Sequence, residues 1–318
     1  MAALKKSVAA VLSPLKGRDL LSSADFSTEQ TVALLDLAMQ LKKSERRIDL
    51  GNRVLGLIFT KASTRTRVSF QVAMTRLGGQ TIDLNPQITQ LGRGEPLKDT
   101  ARVLSRFCDV LAVRTFKQKE LTDYADWASI PVLNALTDIE HPCQALADFL
   151  TMQEAFGDLE GKTLTYIGDG NNVAHSLMIC GALLGVEVRV ASPKGFEPLP
   201  EILAKARGLC QSEAKVNVFN DPNEAIRGAE AVYTDVWTSM GQEEEQLIRI
   251  KAFEDFCLDE ELFSKADSKA IVLHCLPAHR GEEISNHVFE SDSSRIFDQA
   301  ENRLHVQQAL LAAVLGGL

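Results

Sequence analysis

The sequence predicts an α/β protein with two doubly wound parallel-sheet domains that are joined by linking helices. Short apolar runs alternate with helical patterns along the chain, and such alternation indicates parallel sheets covered by helices. The alternation falls into two series, and 318 residues are enough for two domains. We expect a first domain of residues 1–140 plus 300–318 and a second domain of residues 141–299.

The first series contains four predicted strands. Its opening run is short, continuous and apolar, as expected for a strand that is buried on both faces. The strands are expected at Val54–Phe59, Thr81–Leu84, Asp109–Val113 and Ile130–Leu133. The helices are expected from the capping box Ser27–Gln30 to about Lys43, from the 63–67 segment to Gly78, and over Leu97–Phe107, Gln118–Trp127 and Ala145–Phe156.

The second series begins after Gly157 and contains five predicted strands. The strands are expected at Leu164–Ile167, Glu187–Val190, Val216–Phe219, Ala231–Thr234 and Ile271–His274. The helices are expected at Asn172–Leu184, Pro200–Leu209, Asn223–Arg227, Leu247–Phe256 and Ala300–Leu315. Ligands of such sheets bind at the carboxyl ends of the strands, and the unusual polar clusters of this chain all fall at such ends.

Composition and charge restrict the possible partners. A net charge of −9, without any stripe dense in lysine and arginine, argues against nucleic acid. No apolar run approaches the length of a membrane span, so we expect no membrane partner. The six cysteines include no Cys-x-x-Cys pair, which favours free thiols in a reducing compartment. The apolar spacing of residues 1–16 suits a docked helix better than a targeting peptide, and we predict a cytoplasmic protein.

A basic, hydroxyl-rich segment, Ser63–Arg67, lies where the first strand is followed by a helix. The backbone N–H groups and the positive dipole end of a helix start favour an anion there. Two arginines and three hydroxyls suit an oxyanion with several acceptors, such as a phosphate. Taken alone, the segment is more typical of a capped, basic helix start on the surface, and the other clusters shift the balance toward an anion site.

Two further clusters follow strands of the first series. Arg114 directly follows a predicted strand and is either a second clamp for the anion or a solvated strand end. His141 and Gln144 are three residues apart at a helix start, so they share one face of the helix. Together they can donate to a carbonyl oxygen and hold an amide, or they are a capping histidine and an unrelated glutamine.

The turn Gly168–Val173 follows a strand and opens a helix, as a dinucleotide-binding turn does. Val173 replaces the third glycine, and the next strand ends without the acidic residue that holds a ribose. A nicotinamide cofactor is therefore disfavoured. The amides of Asn171 and Asn172 either bind a polar ligand or cap the helix.

Two more strands are followed by residues with potentially reactive side chains. Asp235 begins a loop of small residues that is able to hold an ammonium group and close over it, or that is only an acidic surface loop. His274 and Cys275 suggest a zinc site, but adjacent strand residues point to opposite faces and no further ligand pair is suitably spaced. We therefore predict no metal. Cys275 is either a buried thiol or a contact for a substrate amine.

Seven motifs in chain order resemble those of the aspartate/ornithine carbamoyltransferase family. They are Ser63–Arg67, Asp99–Leu104, His141–Gln144, Gly168–Val173, Asp235–Gly241, His274–Pro277 and Ala300–Arg303. Two of these motifs, Asp235–Gly241 and His274–Pro277, resemble the ornithine branch of the family. The aspartate branch lacks the Asp235–Gly241 pattern and has Pro-Leu-Pro in place of His274–Pro277. The match spans nearly the whole chain, from about Gly17 to the C-terminal helix.

The resemblance implies transfer of the carbamoyl group of carbamoyl phosphate to the side-chain amine of L-ornithine, without a cofactor or metal. The implied catalytic residues are Arg114, His141 and Cys275. The implied carbamoyl phosphate site consists of Ser63, Thr64, Arg65, Thr66, Gln90, Arg114, His141, Gln144, Cys275, Leu276 and Arg303. The implied ornithine site consists of Asn171, Asp235, Ser239 and Met240. The resemblance also implies a homotrimer, or a multiple of trimers, in which Gln90 reaches the neighbouring subunit's site.

Three alternatives stay open at this point. The first is a carbamoyltransferase for another acceptor, such as putrescine or aspartate. The second is a catalytically silent binding or regulatory module, because a fold alone does not determine function. The third is a dinucleotide-binding oxidoreductase, which Val173 disfavours.

Overall fold

The computed structural model describes residues 7–85, 94–210, 215–238 and 243–318. The chain forms two compact units, one of residues 1–147 with 302–318 and the other of residues 148–301. It passes from the first unit to the second within the helix Pro142–Phe156 and returns within the helix Ile296–Leu315. These two helices are the linking helices of the predicted α/β architecture.

The described residues form nine strands and thirteen α-helices. The strands are β1 Val54–Phe59, β2 Gln80–Leu84, β3 Val110–Arg114, β4 Val132–Leu136, β5 Thr163–Ile167, β6 Glu187–Ala191, β7 Val216–Phe219, β8 Ala231–Thr234 and β9 Ile271–His274. The helices are α1 Val8–Leu12, α2 Thr28–Lys42, α3 Arg65–Arg76, α4 Leu97–Leu104, α5 Gln118–Trp127, α6 Pro142–Phe156, α7 Asn172–Leu184, α8 Pro200–Leu209, α9 Pro222–Ala225, α10 Gln246–Ala252, α11 Glu260–Phe263, α12 Asn286–Phe289 and α13 Ile296–Leu315.

The first unit contains a parallel sheet of order β2-β1-β3-β4. Strand order reverses between β1 and β3, and crevices for ligands form at such switch points. Phe59, the last residue of β1, pairs in register with Arg114, the last residue of β3. The segment that follows β1 and the side chain that ends β3 therefore lie at the same edge of the sheet.

The second unit contains a parallel sheet of order β7-β6-β5-β8-β9. Its switch point lies between β5 and β8, where Ile167 pairs with Thr234. Thr234 also pairs with His274 at the end of β9. Three neighbouring strands thus end side by side, and the turns that follow them emerge together.

Burial explains the apolar runs. Leu57 and Ile58 point to opposite faces of β1, and both are fully buried. In the second unit, Trp237, Phe253 and Phe256 pack in one apolar cluster. The ring centroid of Phe253 lies 5.9 Å from those of Trp237 and Phe256, within the range of favourable aromatic contacts.

The predicted α/β fold with two parallel sheets is confirmed. Eight predicted strands agree with the structure to within one residue at each end, but Ile130–Leu133 was wrong because β4 spans Val132–Leu136. Asn134 interrupts the apolar run in the sequence, yet it is buried because its Nδ2 donates to the Leu21 carbonyl at 2.9 Å. The helix expected at Leu97–Phe107 ends at Leu104, and the last helix begins four residues before Ala300. The short helices α11 and α12 were not predicted.

Residues 7–15 pack within the first unit. Ser7 caps α1, which contacts α2, and Leu12 and Leu15 are fully buried. In the parts of the chain that the structure describes, no helix has both the length and the apolar character needed to cross a membrane.

Candidate active site

The first cluster is built on the turn between β1 and α3. Thr64 is the N-cap residue of α3, and its side chain makes no capping hydrogen bond. Ser63 is half-buried, Thr64 and Arg65 are exposed, and Thr66 is buried. Because the Thr64 side chain does not cap the positive end of the α3 dipole, the turn is suited to an anion that approaches from solvent.

Two buried arginines accompany this turn. Arg114 lies at the end of β3, and its backbone carbonyl accepts a hydrogen bond from Thr60 N at 2.9 Å. Arg303 lies on α13, and its Nη2 donates to Thr66 Oγ1. Buried guanidiniums require acceptors, and a bidentate oxyanion is the ligand that their geometry matches best.

His141 is buried at the start of α6, where its carbonyl accepts hydrogen bonds from Gln144 N and Ala145 N at 3.0 and 3.2 Å. Burial lowers the pKa of His141 well below its usual value, and the charges of Arg303 and Arg114 lower it further. The imidazole is therefore neutral at neutral pH. Gln144 is buried one turn along α6. The structure thus brings Arg114, His141 and Arg303 into one electrostatic cluster.

Lys61 is a neighbour of this cluster that sequence reasoning missed. Its ammonium lies 4.2 Å from the centre of the Phe116 ring. Burial and the nearby Arg114 charge lower the pKa of Lys61, while Asp138 opposes them. A lysine two residues before Ser63 was visible in the sequence, but nothing indicated that it faced Arg114.

The second cluster lies in the other unit, on the turns after β5, β8 and β9. Asn171 is the N-cap of α7: its Oδ1 accepts from Val173 N and Ala174 N, and its Nδ2 donates to Asp235 Oδ2 at 2.9 Å. Asp235 is buried, and its Oδ1 accepts from Val236 N at 2.8 Å and from the Cys275 thiol at 2.9 Å. Asn171, Asp235 and Cys275 therefore form one hydrogen-bonded chain.

The thiol of Cys275 is protonated. Burial raises its pKa well above the usual value, and the Asp235 carboxylate raises it further by charge and by accepting its hydrogen bond. Tyr166 and Tyr233, fully buried and 5.7 Å apart between ring centroids, stand beside this chain. Burial and the Asp235 charge raise the pKa of both phenols. The cluster accordingly has negative carboxylates surrounded by neutral donors, an arrangement that favours a cation.

The expectation that His274 and Cys275 point apart was wrong. Cys275 follows the end of β9, so strand alternation does not govern it, and one ligand atom each of Asp235, His274 and Cys275 lies within 4.8 Å of the others. His274 Nδ1 already accepts from Leu276 N at 2.8 Å, and its Nε2 bonds Glu283 Oε1 at 3.0 Å. With both ring nitrogens engaged and the thiol protonated, these groups fit a hydrogen-bonded network better than the open ligand set of a metal site.

A buried ion pair near this cluster was also missed. Arg249 on α10 contacts Asp169 Oδ2 at 3.1 Å and donates to the Trp237 carbonyl at 3.1 Å. Burial raises the pKa of Asp169 to about 6, although Arg249 opposes the rise. The pair connects the turn that carries Asn171 with the segment that follows Asp235.

The Gly168–Val173 turn is shaped by the protein's own backbone. A Cβ atom at Gly170 would lie 2.2 Å from Pro198 N and 2.7 Å from the Glu197 carbonyl oxygen. Glycine is therefore required here by close packing of two turns.

Three predicted site residues, Gln90, Ser239 and Met240, lie outside the described residues.

Comparison with known proteins gives two family matches that together cover most of the chain. Residues 18–154 match the aspartate/ornithine carbamoyltransferase, carbamoyl-P binding domain, and residues 160–314 match the Asp/Orn binding domain of the same family. Ornithine carbamoyltransferases from Prochlorococcus marinus (strain MIT 9313) and Parasynechococcus marenigrum (strain WH8102) are each 74% identical over 318 residues, the full length of both chains.

Solved structures show the same similarity. The ornithine carbamoyltransferase from Gloeobacter violaceus is 53% identical with a TM-score of 0.87, covering 95% of this chain and 100% of that one. The ornithine carbamoyltransferase from Pyrococcus furiosus is 47% identical with a TM-score of 0.92, covering 96% and 99%. Such identity over whole chains exceeds what a shared fold alone produces. The chain therefore belongs to the aspartate/ornithine carbamoyltransferase family.

Proposed function

We propose that this protein is an ornithine carbamoyltransferase: it transfers the carbamoyl group of carbamoyl phosphate to the side-chain amine of L-ornithine, giving L-citrulline and phosphate. One observation carries the proposal. Arg114, Arg303 and a neutral His141 are buried together beside an α3 N-terminus rich in hydroxyls. The full-length relatives named ornithine carbamoyltransferase support the choice of acceptor.

The first unit holds carbamoyl phosphate in this proposal. Arg65, Ser63 and Thr64 hold the phosphate with the first-turn N–H groups of α3, and Arg303 adds a second guanidinium through its contact with Thr66. Arg114, Thr66 and His141 donate to the carbonyl oxygen as it gains negative charge. Stabilising this charge usually contributes more to acyl-type transfer than any other single effect. A neutral imidazole suits this role because it donates one N–H without placing a third positive charge beside two guanidiniums.

The second unit holds the amino acid. Asp235 pairs with the α-ammonium, and the second N–H of Asn171 Nδ2 is directed to the α-carboxylate. Asn171 Oδ1 is committed to the α7 N-terminus, so the amide presents a donor to the ligand. Cys275 is close to the reacting amine but keeps its own proton, because its thiol donates to Asp235. It positions the amine and does not act as the general base.

The reacting amine determines the pH dependence. An amine like that of lysine has a pKa of about 10.4, so forming the neutral nucleophile near pH 7.4 costs roughly 4 kcal/mol. The pKa of His141 is lowered and that of Cys275 is raised, so neither group titrates between pH 7 and 8. We therefore expect kcat/KM for ornithine to rise about tenfold per pH unit there. Steady-state rates from pH 6 to 9 check this, and a flat profile contradicts capture of the neutral amine.

A panel of acceptors tests the function itself. The purified protein, carbamoyl phosphate and equal concentrations of L-ornithine, L-aspartate or putrescine are incubated, and the carbamoylated products and phosphate are measured. Turnover with ornithine alone supports the proposal. Preference for putrescine contradicts it, because putrescine has no carboxylate for Asn171. Binding of carbamoyl phosphate without turnover of any acceptor indicates a silent module.

We propose that the protein assembles as a homotrimer or a multiple of trimers. Strand β2 is an edge of the first sheet, and the ion pair of Arg67 with Asp83 connects it to α3. Val68 and Val72 on α3 and Ile82 on β2 are 36–50% exposed, so apolar side chains line this edge. The family resemblance implies a trimer, and we propose that a second copy of the chain covers this apolar edge.

Val68→Glu is expected to shift the assembly toward monomers, because a carboxylate would be buried without a partner in the interface. Sedimentation velocity at micromolar concentration measures the change. Phe297→Glu, at an apolar side chain of the second unit that is 64% exposed, is the matched control. Trimers that persist in the Val68 variant would place the interface elsewhere.

We also propose that the protein acts in the cytoplasm. All six cysteines are free thiols, and five of them, at positions 108, 143, 210, 257 and 275, have a pKa raised chiefly by burial. Free thiols of this kind are typical of a reducing compartment.

A further inference from the structure

An N-terminal strap runs beside β4, one of the two edge strands of the first sheet. We use this name for residues 17–25. Leu20 forms a parallel bridge with Leu133: its N–H donates to the Val132 carbonyl, and its carbonyl accepts from Asn134 N, both at 2.9 Å. Asp19 Oδ1 accepts from Val132 N at 2.8 Å. The strap therefore pairs an edge that would otherwise be open.

Two residues of the strap bind a buried carboxylate. Glu140 Oε1 accepts from Ser22 Oγ at 2.5 Å, and Oε2 accepts from Ser23 N at 2.8 Å. Glu140 is only 2% exposed, so it contributes to structure through these bonds and not as a solvated charge. Hydrogen bonds to an ionised acceptor are roughly twice as strong as neutral ones. Residues 22 and 23 are thus firmly attached to residue 140, more than a hundred positions away in sequence.

Glu140 also closes the turn that leads into α6. Thr137 N donates to the Glu140 carbonyl at 2.9 Å, and Glu140 N donates to Thr137 Oγ1 at 3.2 Å. Thr137 Oγ1 donates in turn to Gln118 Oε1 at 2.6 Å, and Gln118 Nε2 donates to the Leu21 carbonyl at 3.2 Å. The network returns to the strap, so the backbone immediately before His141 is held from both sides.

We propose that Glu140 is a positioning residue for His141, and that the strap acts on catalysis through it; this inference rests on the proposed function. His141 follows Glu140 directly and immediately precedes α6, so the hydrogen bonds that hold residue 140 also restrain the peptide that carries the imidazole. A misplacement of about 1 Å at a catalytic group can lower a rate by about 10²-fold. Glu140 prevents this by fixing the peptide that carries the imidazole.

A carboxylate at position 140 holds the strap better than an amide would. It offers two acceptors to two donors, the Ser22 hydroxyl and the Ser23 N–H. In Glu140→Gln the amide oxygen can still accept from Ser23 N, while its NH₂ group faces Ser22 Oγ, which can rotate to accept. Glu140→Ala removes both bonds and leaves two donors without this acceptor. We therefore expect a graded series, with glutamine close to the parent protein and alanine far from it.

The experiment compares Glu140→Ala and Glu140→Gln with Asp19→Ala. Asp19→Ala loosens the same strap at the start of β4 and does not touch Glu140. We expect kcat to fall about 10²-fold in Glu140→Ala and less than about fivefold in Glu140→Gln, with KM for ornithine unchanged in both. Asp19→Ala lowers Tm but leaves kcat within about twofold. If Asp19→Ala lowers kcat as much as Glu140→Ala at equal loss of Tm, the effect is general destabilisation and the proposal is wrong.

A double-mutant cycle separates positioning from stability. In a His141→Asn background, Glu140→Ala should lower kcat less than about twofold further, because the group that it positions is already absent. Multiplicative losses would overturn the proposal. Ser22→Ala, which removes a single bond to Glu140, replaces Glu140→Ala in the cycle if that variant does not fold, and the same non-additivity is expected.

The parent protein distinguishes the two hypotheses. If it forms no citrulline, the proposed function fails. If it forms citrulline and Glu140→Ala matches it in kcat, the function stands and the positioning role of Glu140 is refuted.

Discussion

Arg114→Met is expected to lower kcat/KM for carbamoyl phosphate by about 10³-fold, because it removes the buried guanidinium that we propose as a donor to the developing oxyanion. Arg114 is held at the end of β3 by the ladder to β1, so its position depends on the sheet and not on a flexible loop. Methionine keeps much of the volume of the side chain and removes the charge. Steady-state kinetics with carbamoyl phosphate varied at saturating ornithine measure the loss.

A spectroscopic readout accompanies the kinetics. Burial and the charges of Arg303 and Arg114 lower the pKa of His141, so removal of the Arg114 charge should raise that pKa by part of its difference from the usual value of about 6.5, as followed by NMR of the imidazole. Arg53→Met, which breaks an exposed ion pair with Asp109 in the same unit, is the control and should leave both readouts unchanged. Normal kinetics in Arg114→Met would remove this residue from the proposed mechanism.

Asp235→Asn is expected to lower kcat/KM for ornithine by about 10²- to 10³-fold and to leave carbamoyl phosphate binding intact. The carboxylate accepts hydrogen bonds from Asn171, Val236 and Cys275, and it is the proposed partner of the α-ammonium. Asparagine offers one oxygen and one NH₂ group to the same donors, so at least one bond is lost besides the charge. Ornithine saturation curves and direct binding of carbamoyl phosphate measure the two effects separately.

The Cys275 thiol gives an independent test of the same substitution. The Asp235 carboxylate raises the thiol pKa, so Asp235→Asn should lower it and accelerate alkylation by iodoacetamide at pH 8. Asp221→Asn, at the exposed N-cap of α9, should change neither alkylation nor kinetics. An unchanged KM for ornithine in Asp235→Asn would place the ammonium elsewhere.

Most strands could be predicted because β1, β3, β5, β8 and β9 are buried on both faces and therefore appear in the sequence as apolar runs. β4 shows the limit of this rule. Its boundary was misplaced because Asn134, a polar residue, is satisfied by the Leu21 carbonyl, and no local pattern reveals a bond between residues 113 positions apart. The predicted start of α13 was four residues too late. The first turn of this helix includes Gln299, a polar residue that is buried because its Oε1 accepts from His274 N, and this contact is not visible in the local sequence.

In the candidate site, too, local features could be predicted from the sequence and long-range contacts could not. The motifs at strand ends could be located from the sequence, because a parallel sheet gathers its carboxyl ends at one edge. Contacts between distant parts of the chain could not be predicted from the sequence. Arg303 and Thr66 are 237 positions apart, and only the family resemblance assigned Arg303 to the anion site. The Asp169–Arg249 pair and the approach of Asp235 to His274 and Cys275 depend on tertiary packing that spacing does not encode.

The hydrogen bond between Cys275 and Asp235 has a consequence for chemical durability. Peroxides and electrophiles react with the deprotonated sulfur, and the neighbouring carboxylate keeps that form scarce at neutral pH. The sulfur can therefore hold the position that we propose for it, beside the substrate amine, without becoming a target for oxidative damage. Catalytic output should consequently outlast the oxidation of more exposed sulfur atoms elsewhere in the chain.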